Sequence, residues 1–282
     1  MSKVYLVTGC SAGLGYELSK AILLAGHKLI ATSRDPSKTP DIVAEIQRLG
    51  GYWGTLDVTS SDLDSQFHEL YKVYGQIDVL INNAGIAIGA TVEQTEMEVA
   101  RLVFETNFFG VMRLTQLAIP LMRSQGGGTI VNISSGATVN PLPMIAVYGA
   151  SKNAIEGFTE ALKKEVAGFK IRVLLAHPGD MRTSFISRSN ATEIKDEYKG
   201  TAADFVAKLL RSTIGAIDPA KAATTIVEAV DGTGELQKLI GEDYVRIPLG
   251  ARVANGIKQR SKELVHAVEV FDGISQSVDI QE

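Results

Sequence analysis

Cysteine is nearly absent from this chain: Cys10 is the only one in 282 residues. No intramolecular disulfide can form, and a reducing compartment fits. Long apolar runs are absent as well. No stretch reaches the roughly 18 apolar residues that span a bilayer, so no membrane partner is expected. An excess of positive charge is also missing. The 28 Lys and Arg are outnumbered by 32 Asp and Glu, for a net charge of −4. Nucleic acid is therefore not an expected partner either. There is no repeat, no low-complexity tract and no expected metal site. A first strand that begins near Lys3 leaves no room for a signal peptide, so the expected location is the cytoplasm.

What remains is an ordinary globular composition, 45% hydrophobic and 21% charged. A chain of this length can bury a sizeable core in one α/β domain. Short β-prone runs alternate with helical patterns. The runs are KVYLV (3–7), KLIATS (28–33), YWGTLDV (52–58), IDVLINN (77–83), TIVNIS (129–134), KIRVLLA (170–176) and LQKLIG (236–241). Helices are predicted over 14–25, 42–49, 63–74, 96–123, 147–167, 202–211 and 220–230, the fourth bent near Gly110. Continuous apolar strands between helices predict a doubly wound parallel sheet of about seven strands, covered on both faces. Residues 1–242 are expected to form the main domain and 243–282 a helical extension of it. The polar stretch 184–200 reads as a loop or lid.

The stretch VTGCSAGLGYEL (7–18) sets Gly9, Gly13 and Gly15 between the first strand and the first helix. Glycine permits positive φ and close backbone approach. A helix N-terminus directs unpaired N–H groups and a positive dipole end at an anion. The loop is shaped for a pyrophosphate, although a ligand-free turn would use the same residues. At the end of the second strand an acid would hold the ribose of NAD, and a base the 2′-phosphate of NADP. Here Ser33 stands in the acid's place and Arg34 follows, which favours NADP(H) over NAD(H). Asp35 pairs with Arg34, faces solvent or takes the ribose.

Tyr148 and Lys152, in YGASK, are four apart and share one helix face. An ammonium beside a phenol stabilises the phenolate and lowers its pKa, which suits proton exchange with a substrate oxygen. A surface lysine beside a half-buried tyrosine would give the same spacing. Ser135 follows the fifth strand, where hydroxyls face the ligand crevice of a parallel sheet. Ser134 reads as a turn or cap. Asn107 lies inside a helical pattern, where asparagine implies a bend or a bound water. NNAG (82–85) closes the fourth strand. Asp57 and Val58 close the third, with Asp57 placed to hydrogen-bond an adenine amine or to cap a helix. Pro178 and Gly179 form a turn after the sixth strand.

The ordered set TGCSAGLG, Asp57-Val58, NNAG, Asn107, Ser135, YGASK and HPG…T resembles the short-chain dehydrogenase/reductase family over residues 3–242. The motifs look most like the branch with hydroxysteroid and retinol dehydrogenases and microbial reductases. The resemblance implies a Rossmann fold, a nicotinamide cofactor and an Asn-Ser-Tyr-Lys site. Tyr148 would be the general acid/base. Lys152 would lower its pKa and bind the nicotinamide ribose. Ser135 would orient the substrate oxygen, and Asn107 would hold a helix bend and a relay water. Thr8, Gly9, Ser11, Gly13, Leu14 and Gly15 would line the phosphate loop, where Cys10 is expected to matter only as a small side chain. Asn83, Ala84 and Gly85 would flank the adenosine ribose, and Pro178, Gly179 and Thr183 the carboxamide. His177, where the family often has asparagine, reads as a structural, hydrogen-bonded residue. Ala12 stands where some NADP-preferring members carry a base.

The expected reaction is NADPH-dependent reduction of a ketone or aldehyde, or the reverse oxidation. A non-catalytic dinucleotide-binding regulator on the same fold is the rival. Val139, Leu142, Met144, Phe185 and Ile186 are candidate pocket walls, which suggests a hydrophobic carbonyl or alcohol substrate. By resemblance the chain forms a homodimer or homotetramer through the long helices near 100–123 and 147–167.

Overall fold

The computed structural model describes residues 2–181, 192–210 and 215–280. Its seven strands are β1 (Val4–Val7), β2 (Lys28–Ser33), β3 (Tyr52–Thr55), β4 (Val79–Asn82), β5 (Gly128–Ile133), β6 (Ile171–Pro178) and β7 (Arg246–Leu249). They form one sheet in the order β3-β2-β1-β4-β5-β6-β7. Every pairing is parallel. The order reverses between β1 and β4, and ligands of such sheets bind beyond the strand ends at that point.

The pleat divides the apolar runs between two cores. Tyr5, Val7, Leu29, Ala31, Val79, Ile81, Val131 and Leu174 face one cluster. Val4, Leu6, Ile30, Leu80, Ile130 and Val173 face the other. Helices α1 (Gly13–Leu24) and α2 (Pro40–Arg48) cover the first face, and α3 (Leu63–Lys72) the second. Next come α4 (Met97–Phe104), α5 (Gly110–Ser124), α6 (Ala146–Glu165) and α7 (Ala202–Leu210). The last two are α8 (Pro219–Asp231) and α9 (Ala251–Val270). Helix α8 joins the first core through Ile226 and Val230, and α5 the second through Leu114 and Met122.

The seventh strand lies at Arg246–Leu249, not at 236–241. LQKLIG instead sits within a 3-10 turn over Gly234–Leu239 and its exit. Its apolar residues, Leu236, Leu239 and Ile240, have helical rather than alternating spacing, and Gly234 takes a positive φ of 53°. Four residues of the C-terminal segment thus belong to the sheet. Pro248 is tolerated because β7 is an edge strand. The helix over 96–123 is interrupted slightly earlier than expected, by a π-helical segment at Glu105–Phe109. Gly110 follows it because a Cβ there would come within 2.8 Å of the Val58 Cβ and carbonyl oxygen.

Candidate active site

The turn between β1 and α1 is as tight as its glycines suggest. Gly9 has φ +70°, and a Cβ on it would lie 2.8 Å from the Ala84 Cα. A Cβ on Gly15 would lie 2.3 Å from the Gly9 carbonyl oxygen. Asn83 clamps the turn by donating from Nδ2 to the Thr8 and Gly9 carbonyls at 2.8 and 3.1 Å. Thr8 Oγ1 accepts from the Asn83 and Ala84 amides at 3.0 and 2.9 Å. The ends of β1 and β4 are thereby locked together across the switch point. Helix α1 has no acidic residue in its first turn, and its N-cap, Ala12, makes no side-chain cap. The N–H groups of Gly13, Leu14 and Gly15 stand before the first intrahelical bond and suit an anion, so this turn fits a dinucleotide pyrophosphate. Ser11 is half-buried beside it. Cys10 turns inward, is fully buried and donates to the Val7 carbonyl at 3.3 Å. Burial pushes its thiol up to about 11.

Ser33 is buried and accepts from Trp53 Nε1 at 3.2 Å. Asp35 does not pair with Arg34; it stays partly open to solvent. It caps the following turn, accepting from the Ser37 amide at 3.1 Å and hydroxyl at 2.6 Å, with Lys38 Nζ 3.6 Å away. Arg34 is exposed and has no ion-pair partner among the described residues. Asp57 ties its own turn together, accepting from the Thr59 amide and hydroxyl at 3.0 and 2.8 Å. Val58 is buried against Gly110.

The chemical residues converge beyond the ends of β4 and β5. Helix α6 buries Tyr148 and Lys152 one turn apart. Lys152 Nζ donates to the Ile133 carbonyl at 2.8 Å and lies 6.0 Å from the centre of the Tyr148 ring. Ser135 caps a short 3-10 turn by accepting from the Ala137 amide at 3.1 Å. Asn107, in the π-helical segment, is fully buried. Its Oδ1 accepts from the Ile86 amide at 2.9 Å, and its Nδ2 donates to the Ile86 carbonyl and to Ser151 Oγ, both at 2.9 Å. Ser151 in turn donates to the Tyr148 carbonyl at 2.7 Å. The wide π turn thus pins the segment after β4 to the helix of the tyrosine. A Cβ on Gly85 would lie 3.2 Å from Asn107 Oδ1 and 3.6 Å from Lys152 Nζ.

The electrostatics correct one expectation. The phenol is not drawn down by the ammonium. Burial pushes Tyr148 up to about 12, against a hydrogen bond with Ser135 that lowers it. Burial also pulls Lys152 down to about 8. The ammonium donates to the Ile133 carbonyl, and burial is the largest influence on both groups. Burial thus favours the neutral form of the Tyr148 phenol.

Beneath the site lies a cluster that sequence reasoning did not find. Glu156, one turn after Lys152, accepts from Ser134 Oγ at 2.7 Å and from Arg246 Nη1 at 2.7 Å, and its Oε1 meets His177 Nε2. Arg246 Nη2 reaches Glu160 at 2.6 Å. His177 is fully buried and hydrogen-bonded, as expected of it. Its partners are far apart in sequence, and no local pattern joins them.

Gly179 donates its amide to the Leu249 carbonyl at 3.1 Å. Cβ atoms on Gly136 and Gly179 would lie 3.0 and 3.1 Å from Val253 Cγ2, so the start of α9 packs against the serine turn and the Pro178-Gly179 turn. Val139 is half-buried and Leu142 is 41% exposed. Met144 is buried against Ala203, Val206 and Ala207 of α7. Thr183, Phe185 and Ile186 lie outside the described residues.

A reversed parallel sheet with a phosphate turn and a buried Tyr-Lys pair beyond its strand ends suits redox chemistry. The model of the short chain dehydrogenase family matches residues 3–194. An oxidoreductase, claN, of Passalora fulva is 40% identical over 207 residues, covering 73% of this chain and 94% of its own. A 3-ketodihydrosphingosine reductase of Bacteroides thetaiotaomicron is 36% identical over 208 residues, covering 73% and 74%. The crystal structure of a short-chain dehydrogenase from Streptomyces avermitilis superposes with a TM-score of 0.84 at 30% identity, covering 99% of this chain and 100% of that one. The chain belongs to the short-chain dehydrogenase family. It is an oxidoreductase acting on carbonyl and CH–OH groups. Among the described residues no helix is long and apolar enough to cross a membrane.

Proposed function

We propose that the chain interconverts a hydrophobic ketone or aldehyde and its alcohol with NADP(H), in a cytoplasmic setting. The observation that carries this is the burial of Tyr148 and Lys152 on one face of α6, with Ser135 hydrogen-bonded to the phenol. When bound, the dinucleotide supplies or accepts the hydride. Tyr148, held neutral, gives its proton to the substrate oxygen in reduction and recovers it in oxidation. Ser135 orients that same oxygen. Lys152 holds positive charge near the phenol and binds the nicotinamide ribose, while Asn83, Ala84 and Gly85 flank the adenosine ribose. Asn107 fixes the segment that carries Ile86 and keeps the geometry of α6. Pro178, Gly179 and Thr183 complete the carboxamide side. The preference for NADP rests on Arg34, exposed while Asp35 is committed to its own turn. The similarity to a 3-ketodihydrosphingosine reductase supports a long apolar carbonyl substrate.

The test is Tyr148→Phe, assayed on a panel of ketones, quinones and aldehydes. General acid catalysis is worth roughly 10²–10⁴-fold, so turnover should fall by that factor while NADPH still binds within about twofold. Retained turnover in the variant would overturn the assignment. A wild-type chain that binds NADPH but consumes none on the whole panel would favour a regulator.

A further inference from the structure

Consecutive residues at the end of β5, Asn132 to Ser135, are each bonded to one face of α6. Asn132 Nδ2 donates to Thr159 Oγ1 at 2.9 Å. The Ile133 carbonyl accepts from Lys152 Nζ at 2.8 Å, and Ser134 Oγ donates to Glu156 Oε1 at 2.7 Å. Ser135 hydrogen-bonds the Tyr148 phenol. Positions 148, 152, 156 and 159 recur at intervals of four, four and three, which is one helix face. Their side chains are buried, and so are those of Asn132 and Ser134. Polar bonds made away from water are directional and expensive to leave unmade. This ladder therefore fixes how α6 is rotated and slid against β5.

Among these rungs Glu156 has a special place. It grips Ser134, which stands between the carbonyl that holds Lys152 and the hydroxyl that meets Tyr148. Thr138, on the other side of Ser135, shares its hydroxyl between the Ser135 carbonyl, at 2.8 Å, and Glu156. The short turn that carries Ser135 is thus anchored on both sides to one carboxylate. That carboxylate is itself held still. Its Oε2 accepts from Arg246 Nη1 at 2.7 Å, its Oε1 also meets His177 Nε2, and Arg246 Nη2 is fixed by Glu160 at 2.6 Å. Arg246 offsets the cost of burying the charge, and the charge strengthens the bond from Ser134.

We propose that Glu156 is a positioning residue for the proton transfer: through Ser134 it sets the Ser135 hydroxyl against the Tyr148 phenol and the substrate oxygen. This rests on the roles given above to Tyr148 and Ser135. The test is steady-state kinetics of the full chain with NADPH and the most active carbonyl compound of the panel. Ser134→Ala should lower kcat about tenfold, because a small misplacement of a reacting group is costly, and leave the KM for NADPH within about twofold. In a Ser135→Ala background the same change should cost less than about twofold, because the hydroxyl it positions is gone. A merely structural role would cost the same factor in both backgrounds. Glu156→Ala should lose at least as much as Ser134→Ala. Glu156→Gln, whose amide oxygen still accepts from Ser134, should recover to within about threefold of wild type. If Glu156→Ala does not fold, the Ser134 cycle decides. Equal losses in the two backgrounds, or wild-type kcat in Ser134→Ala, would overturn the proposal and leave the role of Ser135 standing. Full turnover in Ser135→Ala alone would remove that role, and this proposal with it.

Discussion

At position 34 a guanidinium stands exposed, while the neighbouring carboxylate is tied down by Ser37. A charge-assisted hydrogen bond is worth about 1.5–3 kcal/mol. Arg34→Ser should therefore raise the KM for NADPH by roughly 10–100-fold and leave that for NADH nearly unchanged, as steady-state kinetics with both cofactors will read. Equal losses with both would remove Arg34 from cofactor choice. The tight glycine turn and the shared helix face of Tyr148 and Lys152 were legible because local rules place them: glycine at a strand–helix junction, and a four-residue helical spacing. Glu156 was not legible. It is an acid on a helix until the fold brings Ser134, His177 and Arg246 to it, 22, 21 and 90 residues away. The charge states were misread for a related reason. Spacing puts Lys152 beside Tyr148 but says nothing of the burial that opposes ionising either.

Among the elements, α8 shows how much local chemistry decides. Asp218 caps it by accepting from the Ala220 amide at 2.9 Å, Pro219 opens it, and Gly232 closes it at φ +66°. Its Ala222, Ala223, Ile226 and Val230 bury against the core that β1 and α1 share. Asp218→Ala should lower stability by about 1 kcal/mol, seen as a lower urea midpoint with an unchanged slope. Elements with this much local signal fell within a few residues of their predicted bounds. The seventh strand did not, because a four-residue edge strand containing Pro248 carries little β signal. Met144 was also illegible. It takes φ +68°, a conformation normally left to glycine, and its carbonyl accepts from the Ala90 amide at 2.7 Å. Tertiary contacts alone hold it there.

Across the whole molecule, Glu156 joins α6, β6 and β7. Burial works against its ionisation, but hydrogen bonds from His177 and Arg246 outweigh it and hold the carboxyl at about 2. A depressed carboxyl pKa contributes stability above the unfolded value, near 4.5, and loses it as pH falls toward 2. Between those limits the wild type should lose on the order of 2 kcal/mol through this group. Glu156→Gln should be weaker at neutral pH and show a flatter stability curve from pH 4.5 to 2. Parallel acid curves for the two proteins would show that the network contributes nothing to folding.

Cys10 sits under the turn that separates β1 from α1, sealed from solvent and with its thiol kept protonated. No other sulfhydryl exists in the chain. A thiol reagent can therefore enter at one place only, and only while that turn is lifted away from the sheet. The rate at which the protein is labelled becomes a clock for how often that glycine turn opens.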